Sequence, residues 1–288
     1  MRPEAFFIPA ESAETAGSGQ RFCLFHPAQG EEIRGLVLYI HPFAEEMNKA
    51  RRMAALQART LAQAGYAVLQ IDLLGCGDSS GDFGDATWEQ WVNDVVRGCR
   101  WLRSKNDAQG VAADQIPLWL WGLRAGCLLA VDAARQMDEV CNFLFWQPPA
   151  AGKTLLQQFL RLKVAGDMMG GQSKGIMETM RQQLANGSPV EIAGYMISPG
   201  LAMGLEQAVL ASPANQGQAR RLEWFELSTR EDASLNPVSA KTIAQWQEAG
   251  FAVSSHIAHG PAFWQTTEIE DAPALIAATT AALAAMSA

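Results

Sequence analysis

The sequence predicts an α/β protein with a mostly parallel central sheet flanked by helices. Short apolar runs alternate along the chain with longer amphipathic stretches, which is the pattern of strands joined by crossover helices. The chain has 288 residues, of which 49% are hydrophobic and 18% charged, so it can bury a full core. This composition excludes a disordered or fibrous chain.

The predicted elements follow from the order of these runs. Apolar runs bounded by turn residues predict strands at 4–8, 21–26, 36–40, 66–71, 117–121, 141–146, 222–227 and 252–257. Stretches with helical periodicity predict helices at 48–64, 87–104, 124–137, 239–249 and 272–285. The first two strands have no helix between them, so we expect them to open the sheet before the alternation begins.

The alternation stops at about residue 150 and resumes at about 220. We interpret residues 150–219 as a helical cap inserted between two parts of one core, 1–149 and 220–288. The segment holds six of the eleven methionines, which are Met168, Met169, Met177, Met180, Met196 and Met203. Methionine covers apolar ligands of varied shape but also fills gaps in an ordinary core, and both interpretations stay open.

Charge and composition exclude several classes of function. The net charge of −8, without a block of Lys and Arg, makes nucleic acid an unexpected partner. No apolar run suits a signal peptide or a membrane span, so we expect a cytoplasmic protein. The five cysteines form no C-x-x-C pair, and the four histidines have no metal-ligand spacing. No metal or cofactor is expected; in particular, the glycine-rich segments match neither a dinucleotide fingerprint nor a P-loop.

A strand followed by a small-residue turn carries the main functional signal. The run from Leu118 enters Gly122-Leu123-Arg124-Ala125-Gly126, and a predicted helix follows. A nucleophile elbow of the form G-x-S-x-G needs glycines at these places, because the backbone turns sharply around a strained central residue. Both glycines are present, but Arg124 occupies the central position.

An acid and a histidine follow this turn in the order expected for a hydrolase triad. Asp232 comes just after the strand predicted at 222–227, and His259 comes after the last predicted strand. A carboxylate that orients an imidazole, which then moves a proton, is the usual chemistry of such a pair. We therefore predict a hydrogen bond between Asp232 and His259; a surface carboxylate and a loop histidine are the alternative.

These motifs resemble the α/β-hydrolase superfamily and, more narrowly, the exosortase-A-system-associated hydrolases of type 2. The residues that carry the resemblance are 41–49, the D-x-x-G-x-G-x-S turn at 72–79 and the segment 121–126, with Asp232 and His259. The resemblance implies an α/β-hydrolase fold and a gene that lies near exosortase and exopolysaccharide genes. It implies no particular substrate. It also implies that the loop from His41, with Phe43, Glu45 and Glu46, borders the substrate and the oxyanion hole, to which Ala125 gives an amide.

Arg124 departs from the superfamily pattern, because a guanidinium is neither a nucleophile nor a base at neutral pH. A cation at a helix N-terminus opposes the helix dipole, so a negative group should lie nearby. The partner is either the anionic group of a ligand or an internal carboxylate, with Asp232, Glu45 and Glu46 as candidates. Attack by water, with His259 as base, needs no serine; Cys127, Cys76 and Ser79 are weaker candidates for a nucleophile.

The predicted function is that of a hydrolase acting on an ester, thioester or other acyl compound, with Arg124 in place of the nucleophile. The alternative is a non-catalytic member of the same fold that binds a ligand or serves as a scaffold. The sequence favours an enzyme, either a hydrolase or an acyl transferase that lacks the usual serine nucleophile, but does not decide whether it is one. The expected partner is a small acyl or anionic molecule, and a homo-oligomer is a further option.

Overall fold

An eight-stranded sheet forms the centre of the protein. The computed structural model describes residues 2–10, 19–30, 32–107, 115–168, 175–214 and 219–285. The strands of this sheet are β1 (Glu4–Ala10), β2 (Gly19–His26), β3 (Gly35–Ile40), β4 (Tyr66–Ile71), β5 (Leu118–Leu123), β6 (Cys141–Trp146), β9 (Arg220–Ser228) and β10 (Phe251–His259). Two short strands, β7 (Val190–Ile192) and β8 (Tyr195–Ile197), pair separately.

The strand order is β1-β2-β4-β3-β5-β6-β9-β10, and every pairing from β4 to β10 is parallel. β1 and β2 are antiparallel and open the sheet at one edge, as predicted. The predicted fold class is therefore confirmed. Every residue of β3 and β5 is buried, because helices cover both faces of a parallel sheet.

Helices lie on both faces of the sheet and divide the core into two layers. They are α1 (Glu45–Gln63), α2 (Trp88–Asp107), α3 (Ala125–Gln136), α4 (Gly152–Met168), α5 (Ile176–Ala185), α6 (Pro199–Gln207), α7 (Pro237–Glu248) and α8 (Pro273–Ala284). Alternate residues of β5 face opposite layers, so Leu118 and Leu120 pack with α2 and α3, whereas Trp119 and Trp121 pack with α1 and α8.

The segment between β6 and β9 contains α4, α5 and α6, together with the β7–β8 hairpin. The hairpin was not predicted, since only helices were expected there. Its turn has Ala193 at φ 49° and Gly194 at φ 84°, and positive φ at both central residues is the geometry of a tight two-residue hairpin. Met169 and the side chain of Met168 lie outside the described part of the chain.

The glycine turn at residues 72–79 follows β4 at the carboxyl edge of the sheet. Gly75 has φ +71° and Gly77 has φ +55°, a backbone region that disfavours other residues. A Cβ at Gly75 would lie 2.2 Å from the Asp82 carbonyl oxygen, and one at Gly77 would lie 1.9 Å from Asp72 Oδ2. Asp72 Oδ2 accepts from the Asp78 amide at 3.1 Å, so the predicted D-x-x-G-x-G-x-S motif closes on itself, and Asp72 also pairs with Arg51.

Candidate active site

The turn between β5 and α3 consists of the single residue Arg124. Its backbone has φ 54° and ψ −114°, a strained conformation for a residue with a side chain. Gly126 packs so tightly against β3 that a Cβ there would lie 2.1 Å from the Ile40 carbonyl oxygen. A Cβ at Gly122 would lie 2.5 Å from the Cys127 amide nitrogen. The two glycines that the sequence places around this turn are therefore required by its close contacts.

The Arg124 guanidinium is bound by protein groups on several sides. Its Nη2 lies 3.1 Å and its Nε 3.3 Å from Glu46 Oε1, and Nη2 also donates to Gln158 Oε1 at 3.0 Å. Its Cζ lies 5.7 Å from the centre of the Trp264 ring, within cation–π range. The Arg124 side chain is only 12% exposed. The predicted negative group beside Arg124 is confirmed as Glu46, so the internal ion pair is the alternative that the structure contains.

Glu46 reaches Arg124 because β3 and β5 are neighbours in the sheet. Ile40 pairs with Gly122, so the loop after β3 and the turn after β5 leave the sheet side by side. Ala44 has φ 51° and ψ −129°, close to the backbone of Arg124, and α1 begins directly after it. Glu46 thus lies in the first turn of α1, where the helix dipole favours a carboxylate, and it offsets the unfavourable cation at the start of α3.

A cleft of about 340 Å³ opens beside this ion pair. One wall is apolar and comes from α4, with Leu155, Phe159 and Leu162 facing Phe43 and Trp264. The remaining lining is mostly polar and comprises Ala44, Glu45, Glu46, Lys49, Gln158, Gln265 and Thr266. Leucine and phenylalanine of α4 thus form the apolar wall, whereas the sequence emphasised methionine in this segment. Trp264, Gln265 and the α4 residues were not singled out in the sequence.

The resemblance assigns an oxyanion-hole amide to Ala125. Ala125 is the first residue of α3, and amides in the first turn of a helix have no acceptor within it. Phe43 and Glu45 line the cleft as the resemblance implied, and so does Glu46. Three loop residues that the resemblance placed near the elbow, Phe43, Glu45 and Glu46, therefore line the cleft.

His41 lies behind this loop and is not part of the cleft lining. Its Nε2 accepts from the Leu73 amide at 3.3 Å, so Nδ1 carries the proton and donates to the Pro42 carbonyl oxygen at 2.8 Å. Burial lowers the pKa of His41 and keeps the imidazole neutral. His41 therefore joins the loop after β3 to the glycine turn after β4.

Asp232 and His259 are not brought together. Asp232 is 82% exposed, and its Oδ1 lies 3.5 Å from Arg230 Nε on an equally open surface. His259 is the exposed last residue of β10, and within the described chain no hydrogen bond joins it to Asp232. The predicted contact between the two is therefore wrong for this structure. After β10 the chain turns so that Trp264, rather than His259, approaches Arg124.

The other candidate nucleophiles are occupied or buried. Burial raises the pKa of both the Cys127 and the Cys76 thiols, so neither forms a thiolate at neutral pH. Cys127 Sγ donates to the Gly122 carbonyl oxygen at 3.2 Å. Ser79 Oγ accepts from the Phe22 amide at 2.9 Å and donates to the Asp72 carbonyl oxygen. These three side chains stabilise turns and strand ends.

The described ranges contain neither a metal-binding cluster nor a membrane-spanning helix. No cluster of three or more His, Cys, Asp or Glu side chains there is arranged to hold a metal ion. In the same part of the chain, no helix combines the length and the apolarity needed to cross a bilayer.

Sequence comparisons match parts of the chain. The family model of the X-Pro dipeptidyl-peptidases (S15 family) matches residues 22–113, which run from β2 through the glycine turn and α2. Human protein ABHD12B is 26% identical over 117 residues. That match covers 41% of this chain and 29% of the human protein, so it spans less than a third of that relative.

Solved structures match over almost the whole chain at low identity. A carboxyl esterase from Bacillus coagulans, in complex with glycerol, has a TM-score of 0.63 at 11% identity and covers 100% of this chain and 98% of its own. Monoglyceride lipase from Saccharomyces cerevisiae, bound to a substrate analogue, has a TM-score of 0.59 at 16% identity, with 98% and 94% coverage. Est1E from Butyrivibrio proteoclasticus, bound to ferulic acid, has a TM-score of 0.58 at 13% identity, with 98% of each chain covered.

The sheet order, the turn after β5 and these likenesses define an α/β-hydrolase fold. Arg124 lies at the strand-to-helix turn of this fold.

Proposed function

We propose that this protein belongs to the α/β-hydrolase superfamily, binds a small acyl or ester compound in the cleft and forms no covalent acyl-enzyme with it. The observation that carries the proposal is the Arg124–Glu46 ion pair, which stands directly beside a largely apolar cleft. A cleft of about 340 Å³ is at the lower end of the range for small-molecule sites, on the order of 300–1,000 Å³. The division into a core and a cap of residues 150–219 is part of this proposal, because α4 supplies the apolar wall.

The chemistry of the side chains argues against a serine-type reaction. An acyl-enzyme requires a nucleophile that an adjacent base activates. Arg124 stays charged and can only donate hydrogen bonds, and its carboxylate partner is already engaged. The exposed His259 has no orienting carboxylate in the described chain. Binding without covalent attack is the function that these groups support.

Hydrolysis by water is a second candidate, in which His259 is the base, without an orienting carboxylate among the described residues, and Arg124 holds charge. It is favoured by the amide of Ala125, which begins α3 and could stabilise a developing oxyanion. The esterase and lipase named among the structural neighbours also support it. This route predicts turnover that His259→Ala abolishes.

We further propose a place among the exosortase-A-system-associated hydrolases of type 2. The motifs at 41–49, 72–79 and 121–126 support this narrower grouping. It predicts that the genes beside this one encode exosortase or exopolysaccharide proteins, and an unrelated gene neighbourhood would remove the support.

One titration tests the main proposal, with 4-nitrophenyl butyrate as the probe. Calorimetry measures binding, and release of 4-nitrophenol measures turnover. Leu162 is 51% exposed and lines the cleft, so Leu162→Glu should abolish binding without unfolding the protein. The matched control is Val238→Glu, since Val238 is 60% exposed on α7 and away from the cleft.

We expect saturable binding that Leu162→Glu removes and Val238→Glu leaves intact. A stoichiometric burst of 4-nitrophenol would indicate an acyl-enzyme and overturn the proposal. The same conclusion would follow if no binding were seen, or if both variants bound equally well.

A further inference from the structure

We propose that the ligand of this cleft carries a neutral head group with several hydroxyls, rather than a carboxylate or a phosphate. This inference rests on the proposed function, because it assigns the chemistry of the ligand at the same site. The inference follows from the hydrogen-bonding groups that line the cleft. Arg124 is not among these groups.

Arg124 is a positioning residue that lies behind the cleft wall. Glu46, Gln158 and Trp264 all contact its guanidinium and all line the cleft, whereas Arg124 is not part of the lining. Because a guanidinium only donates, the side-chain oxygen of Gln158 must face it, and the Gln158 amide nitrogen is directed elsewhere. An anionic ligand that bound Arg124 would have to displace Glu46.

The groups that remain at the cleft are mainly acceptors. Glu45 accepts from Tyr195 and Asn48 through Oε2, at 2.9 and 3.1 Å, and its Oε1 receives no hydrogen bond from the described chain. Glu46 engages Arg124 and Gln265 mainly through Oε1, since its Oε2 lies 3.5 Å from Arg124 Nε. A ligand hydroxyl would donate to such a carboxylate oxygen in a charge-assisted hydrogen bond, which is stronger than a neutral one.

Charge at the cleft is balanced, which disfavours a charged head of either sign. The carboxylates of Glu45 and Glu46 repel an anionic head group, whereas Lys49 and the underlying Arg124 repel an ammonium group. Lys49 itself is engaged, since its Nζ donates to the Thr267 carbonyl oxygen at 2.6 Å. A neutral polyol meets neither repulsion and supplies the donor that Glu45 Oε1 lacks.

The apolar wall specifies the rest of the ligand. Leu155, Phe159 and Leu162 lie on one side of α4 and face Phe43 and Trp264. Phe43 and Phe159 meet edge to face, with ring centres 5.1 Å apart. This wall fits an alkyl or acyl chain, so the expected ligand is a chain joined to a polyol head.

Three probes that share an eight-carbon chain test the head group. They are 1-O-octylglycerol, octanoate and octylammonium, titrated by calorimetry below their micelle concentrations. The ether of octylglycerol cannot be hydrolysed as an ester, so binding is separated from turnover. We expect octylglycerol to bind at least tenfold more tightly than either charged probe.

Three variants separate the contributions of the wall and the head group. Glu45→Ala should weaken octylglycerol about tenfold while leaving octanoate no weaker, and Tyr195→Phe removes the contact to Glu45 but should have little effect. Glu248→Ala is the matched control for charge, because Glu248 is exposed at the end of α7. Leu162→Glu should weaken every probe, because a carboxylate on the wall disfavours the alkyl chain that they share.

The outcomes distinguish the two proposals. If octanoate or octylammonium binds as tightly as octylglycerol in a manner sensitive to Leu162→Glu, the head-group inference is overturned and the proposed function stands. The same holds if Glu45→Ala leaves octylglycerol binding unchanged. If no probe binds, the proposed function fails and the inference fails with it.

Discussion

Replacing Glu46 or Arg124 by alanine should destabilise the protein through the loss of one partly buried ion pair. The two side chains are 20% and 12% exposed, and their closest atoms are 3.1 Å apart. Two unit charges at about 4 Å attract by about 4 kcal/mol at an effective dielectric constant near 20. The remaining solvent exposure of the two side chains screens part of this attraction. The dipole of α3 disfavours an unpaired Arg124 by about 0.3–1 kcal/mol in addition. We expect a coupling energy of about 2–3 kcal/mol.

A double-mutant cycle measures this energy directly. Urea unfolding of the wild type, Arg124→Ala, Glu46→Ala and the double variant gives the coupling free energy, independent of each side chain's other contacts. The matched control is the pair Arg52 and Asp271, which is bidentate but 56% and 39% exposed and should couple much more weakly. Equal coupling in the two cycles would refute the reasoning that burial of the Arg124–Glu46 pair sets its strength.

Arg124→Ser should not produce an esterase, since neither His41 nor His259 lines the cleft. Hydrolysis of 4-nitrophenyl butyrate above the wild-type rate would contradict this prediction if adding His259→Ala abolished it. Gly126→Ala should lower the free energy of unfolding by about 1–3 kcal/mol, because the new Cβ would lie 2.1 Å from the Ile40 carbonyl oxygen; a change below about 0.5 kcal/mol in urea unfolding would count against the packing argument. Stability should fall as the pH drops below about 6.5, because burial lowers the pKa of His41 and the unfolded chain then binds a proton that the folded chain does not. His41→Gln should show a smaller loss between pH 7.5 and pH 5.5, and an unchanged loss would assign the effect to other groups.

Much of the fold could be predicted, because its signals are local. Runs such as 36–40 and 118–121 are apolar throughout, and a strand buried on both faces by helices requires this. The glycines around Arg124 could be found from spacing alone, since the sharp turn admits little else. The hairpin at β7 and β8 was missed because each strand has only three residues.

The site could be predicted only in part, because its contacts join distant segments. The sequence indicated a carboxylate beside Arg124 but could not choose Glu46, since the choice depends on where α1 begins relative to β5. Chain order placed His259 after the last strand, but it did not specify which residue of the following loop turns back towards Arg124. Trp264 fills that place, and only the path of the loop reveals it.

The strained backbone at Arg124 has a consequence for how such proteins are recognised by shape. A residue in this conformation costs of order 1–3 kcal/mol, and here the cost persists with no hydroxyl or thiol to expose. Ala44 adopts almost the same angles directly before α1, in the loop after the neighbouring strand, where no covalent chemistry is expected. The same kink therefore precedes a helix at two places in this fold. A search that recognises nucleophile elbows from backbone angles would accept this chain, and only the side chain at the bend distinguishes it from an elbow with a serine.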